Sequence, residues 1–86
     1  MLDFYKLYKT KRGFVSFEQE DGEMIQAYHI DKRGTFKPFI KVSDEDAIKE
    51  LVSTLKMTEA TDFEYAKIAL FRVNDDMRRG DEYGIE

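Results

Sequence analysis

Residues 61–80 read TDFEYAKIALFRVNDDMRRG, and whether they form a helix or a strand decides the fold. Phe63, Ala66, Leu70, Val73 and Met77 recur at spacings of three, four, three and four, the period of one helix face. Thr61-Asp62-Phe63-Glu64 fits a capping box, in which the Thr hydroxyl and the Glu carboxylate satisfy orphan backbone amides. Arg78 and Arg79 precede Gly80, the chemistry of a helix C-terminus. Tyr65–Val73 is also compact and apolar enough for a buried strand, with Asn74-Asp75-Asp76 as its closing turn. Cap chemistry at both ends favours a helix over residues ~62–79, and a fifth strand over 65–73 is the alternative.

Upstream, Ser43 followed by Asp44, Glu45 and Asp46 reads as an N-cap with acids in the first turn, where the helix dipole favours them. Ile48, Leu51, Val52 and Leu55 then keep helical spacing, so a helix spans residues ~44–56. The first half is instead cut into short β-prone pieces by glycine turns. Asp3–Thr10, Phe14–Gln19, Met24–Ile30 and Phe36–Val42 are the pieces. Asp21-Gly22 is the strongest hairpin signal, since it supports the positive φ of tight turns. Pro38 cannot donate to a ladder, which predicts an edge for the fourth strand.

The expected fold is therefore α+β, one domain over residues 1–86. A four-stranded antiparallel β-meander (residues ~3–42) packs against a C-terminal helical hairpin (~44–56 and ~62–79) that covers one face. Leu51 and Leu70 are expected at the centre of the core, and residues ~81–86 form a polar tail. Eighty-six residues bury roughly 64% of the unfolded surface, enough for one modest core. Phe, Leu, Ile and Val number 22, sufficient to escape the composition of disordered chains.

The absence of cysteine excludes disulfides, thiolate metal sites and a cysteine nucleophile. No apolar run is long enough to span a bilayer and no signal-peptide core precedes the first strand, which predicts a soluble, cytoplasmic protein without a membrane partner. His29 is the sole histidine and lies in a predicted strand, on the face of Ile25 and Ala27. The glycines stand singly at turns, and none builds an anion cradle. The acids of residues 44–46 diverge around a helix, and Asp75-Asp76 lacks the ligand spacing of a calcium loop. No catalytic residue, metal, cofactor or small-molecule substrate is expected.

The net charge of −4 conceals a split: residues 1–42 carry eight basic and six acidic side chains, residues 43–86 six and twelve. This composition suits a small non-enzymatic protein–protein interaction module, regulatory or inhibitory, acting through its acidic helical half on a protein partner or as a homodimer. Ile68 lies roughly opposite the stripe of residues 63–77, with Tyr65 and Arg72 near it and Phe71 to one side, a set resembling the centre of a protein interface. These four are the expected partner-binding residues. The alternative is a nucleic-acid-binding domain. It would use Tyr5, Lys6, Tyr8 and Lys9 of the first strand with the basic turns Lys11-Arg12 and Lys32-Arg33, aromatics stacking on bases and cations tracking phosphates.

Overall fold

The computed structural model describes residues 4–82, and side chains within residues 4–74. Its elements are β1 (Lys6–Thr10), β2 (Gly13–Glu18), β3 (Ile25–Ile30), β4 (Phe36–Val42), α1 (Glu45–Thr54), β5 (Thr58–Glu59) and α2 (Asp62–Glu82). The sheet is antiparallel in the order β4-β3-β2-β1-β5, with the Pro38 strand at one edge. The α+β meander followed by two helices agrees with the sequence. A fifth strand exists, but it is the two-residue β5, paired with Lys9 and Tyr8, and residues 65–73 are helical.

The two helices do not share a face. Tyr8 on β1 pairs with Val15 and then His29, so these side chains lie on one face, while Leu7, Ser16 and Tyr28 lie on the other. Tyr8, Val15, Phe17 and Ile25 pack with Ile48 of α1 and with Met57. Leu7, Ile30 and Phe4 pack with Ile68 of α2. The chain crosses from one side to the other through β5 at the sheet edge. A one-face helical hairpin fails because both faces of β1 and β2 carry packed apolar side chains: Tyr8, Val15 and Phe17 on one, Leu7 and Phe14 on the other. A sheet apolar on both faces must be covered on both.

Local chemistry explains the helix starts. The N-cap of α1 is Asp44, one residue later than expected, its carboxylate accepting from the Ala47 amide at 3.0 Å. The capping box of α2 forms as read. The Thr61 amide donates to Glu64 Oε1 at 3.0 Å, and the Glu64 amide donates to Thr61 Oγ1 at 3.2 Å. At the far end α2 runs through Gly80 to Glu82, so the expected stop at residue 79 is passed. A helical glycine costs only about 1 kcal/mol, which does not oblige a helix to end. Residues 83–86 of the expected tail, and the side chain of Met77, lie outside the described residues. Among the described residues, no helix is long and apolar enough to cross a membrane.

Candidate interaction surfaces

The face of α2 that meets the sheet carries Ile68, 0% exposed. One turn before it, the Tyr65 ring stands edge-on to Phe4, centroids 5.0 Å apart. The Tyr65 hydroxyl accepts from the Phe4 amide at 3.3 Å. One turn after Ile68, Arg72 pairs with Glu18, whose carboxylate also accepts from the Ser16 hydroxyl at 3.3 Å. The Arg72 guanidinium lies 5.7 and 5.8 Å from the ring centroids of Phe4 and Phe36. Phe71 packs over Gly34.

All four residues expected to bind a partner are therefore turned to the sheet, and the helix sits the other way round. Periodicity finds two apolar faces on this segment but does not rank them. The sheet ranks them. It offers Glu18, which needs a cation, a bare glycine that admits a ring, and an apolar floor at Leu7 and Ile30. Only the Tyr65–Arg72 face answers all three. Lys9, bonded to Glu64 Oε2 at 2.9 Å, fixes the start of the helix in the same sense.

Turned outward is the stripe expected to be core. Phe63 is 79% exposed, Leu70 is 63% exposed, and Ala66 and Val73 are exposed beside them. Leu70 is thus no core residue, while Leu51 on α1 is half-buried. The group missed as exposed was visible in the sequence as a stripe, and only its side was misassigned.

The residues expected to bind nucleic acid are divided. In a meander the β1–β2 and β3–β4 turns fall at the same end, so Lys11-Arg12 and Lys32-Arg33 come together there. Their aromatic companions do not join them. Tyr8 is buried edge-on to Phe17, centroids 5.8 Å apart. Tyr5 and Lys6 lie toward the opposite end, where the Tyr5 hydroxyl donates to Glu45 at 2.7 Å. That bond raises the Tyr5 pKa and lowers that of Glu45. Lys9 is occupied by Glu64. The charge split consequently runs along the strands, with Glu20, Asp21 and Glu23 of the β2–β3 turn and the acids of residues 44–46 at the end opposite the basic turns.

Among the described residues, no group of three or more His, Asp or Glu side chains is placed to hold a metal ion. Comparison of the chain with protein-family models, curated proteins and solved structures gives no match.

Proposed function

We propose that this protein is a non-enzymatic protein–protein interaction module whose binding element is the outward stripe of α2. The observation that carries the proposal is the exposure of Phe63 and Leu70 on one face of a helix whose other face is already docked. Leaving that stripe in water has no folding rationale, and covering it gains about 25 cal/mol per Å² of apolar surface.

The spacing supports a helical partner. Alternating steps of three and four are the seam of paired helices, and Ala66 permits close approach. A second copy of α2 in parallel register meets the requirement, because Asp62 and Lys67 flank the seam five residues apart. In that register Asp62 of one copy stands opposite Lys67 of the other, the charge pairing that sets orientation in such helices. A seam this short gives a weak, reversible dimer, suited to regulation.

Sedimentation over a concentration series tests the reading. Wild-type protein should pass from monomer to dimer, and Leu70→Glu should remain monomeric, unfolding like wild type at concentrations where wild type is itself monomeric. A wild-type monomer throughout, or a Leu70→Glu dimer as tight as wild type, overturns it.

A further inference from the structure

At the basic end of the sheet, on the α1 face, lies a cleft of about 550 Å³. It is lined by buried Val15 and half-buried His29, by the exposed apolar walls Phe39 and Leu55, and by a rim of exposed Lys11, Arg12 and Lys56. Helix α1 covers the sheet only up to Leu51 and Val52, and its last turn leaves this corner open. The volume is that of a site for one small organic molecule.

Two departures from regular backbone converge on the cleft. Between Ala27↔Ile40 and Tyr28↔Pro38 the β3–β4 register shifts by one residue, so Phe39 is the extra residue of a bulge. Bulges re-aim a side chain, and this one leaves Phe39 50% exposed at the cleft wall. Across from it, α1 ends in a Schellman motif. The Lys56 amide donates to Ser53 O at 3.3 Å and the Met57 amide to Val52 O at 3.0 Å. The left-handed residue of that motif is usually glycine. Here it is Lys56, at φ 53°, the one non-glycine residue with positive φ among those described. A residue held in this conformation against its preference points to a role for the side chain.

Among the described residues the ion pairs are Lys9–Glu64 and Arg72–Glu18, so Lys11, Arg12 and Lys56 have no carboxylate partner. The β1–β2 turn that carries two of them is held firmly. Gly13 lies so close to β3 that a Cβ would come within 2.1 Å of Ile30 O.

We infer that this cleft binds a small amphiphilic carboxylate, its apolar body seated between Phe39 and Leu55 and its carboxylate at the Lys11, Arg12 and Lys56 rim. A purely ionic ligand such as inorganic phosphate would leave the apolar walls uncovered. The three cations disfavour a neutral one. An Arg fork beside ammonium groups suits a carboxylate. This site is separate from α2, which lies on the other face.

The test is an amide-resolved NMR titration of the full chain with 2-naphthoate and, for comparison, the neutral 2-naphthalenemethanol. Saturable shifts at Val15, His29, Phe39 and Leu55 are expected with naphthoate, and binding of the alcohol should be about tenfold weaker, the worth of a charge-assisted contact. Lys56→Gly separates ligand binding from folding: it should weaken naphthoate about tenfold while raising the melting temperature, since glycine accepts positive φ without strain. Equal binding of acid and alcohol, or naphthoate affinity unchanged in Lys56→Gly, overturns the proposal. So do shifts confined to the Lys32-Arg33 turn, or displacement of naphthoate by an unstructured oligonucleotide, which would make the end a nucleic-acid surface instead.

Discussion

Gly34 and Phe71 are fitted to each other: a Cβ on Gly34 would lie 2.7 Å from Cγ of the Phe71 ring. Gly34 closes the β3–β4 turn at φ +82°, with its amide donating to Asp31 O at 3.0 Å. One small residue therefore shapes a tight turn and the seat of a helix 37 positions along the chain. Gly34→Ala should destabilise the fold by about 1–3 kcal/mol through positive φ and overpacking together. In urea denaturation, adding Phe71→Ala should recover the overpacking part only, leaving the pair less destabilised than the sum of the single changes.

The orientation of α2 predicts a sharp contrast between two residues of similar size. Ile68→Ala empties a fully buried site and should cost about 2–4 kcal/mol. Leu70→Ala, two residues away on the outward stripe, should change monomer stability by no more than about 0.5 kcal/mol. Chemical denaturation at low protein concentration reads both. Equal costs would mean that the helix docks by the other face.

Arg72 contributes by charge and by shape. Its pair with Glu18 is partly solvated, so Arg72→Ala should cost about 1–2 kcal/mol, less than a fully buried pair would. Arg72→Lys retains the charge but loses the planar group lying near Phe4 and Phe36, and should recover only part of the loss. A double-mutant cycle with Glu18→Gln isolates the ionic contribution.

The α2 cap should be acid-sensitive. Backbone donation from Thr61, followed by the bond from Lys9, holds the Glu64 carboxyl at about 2, below its ordinary 4.5. A depressed folded-state value gives stability that is present above pH 4.5 and is lost as pH falls toward 2. Glu64→Gln should therefore be less stable than wild type near neutrality, and the two should converge at the acid end of that window. A stability difference independent of pH would show that the carboxylate charge is irrelevant to the cap.

Local signals made most of the elements legible. Asp21-Gly22, the capping box of residues 61–64 and the spacing of Ile48, Leu51 and Val52 each act within a few residues, where sequence order is spatial order. The side of α2 that docks is not a local property. It depends on Glu18 and Gly34, which no periodicity connects to residues 65–72. The second covered face had left a trace in Phe14-Val15-Ser16-Phe17, too apolar for a half-buried strand. The cleft had a fainter one. Phe39 and Ile40 stand side by side where strict alternation would separate them, the mark of an inserted residue. Nothing in Leu55-Lys56-Met57 announces a left-handed lysine.

The placement of α2 across a face built from the earliest residues has a consequence for synthesis. The meander closes by short-range hairpins, and α1 covers one side as soon as residues 45–54 are available. Leu7, Phe14 and Ile30 must wait for Ile68. The contact between Phe4 and Tyr65 spans 61 residues. At a ribosome the growing chain therefore passes through a stage with one face of its sheet finished and the other bare. Such exposed apolar sheet surface is what chaperones hold and what aggregates recruit. Mutations that slow the arrival or docking of α2 should thus lower the yield of folded protein in cells more than their equilibrium cost in the purified domain implies.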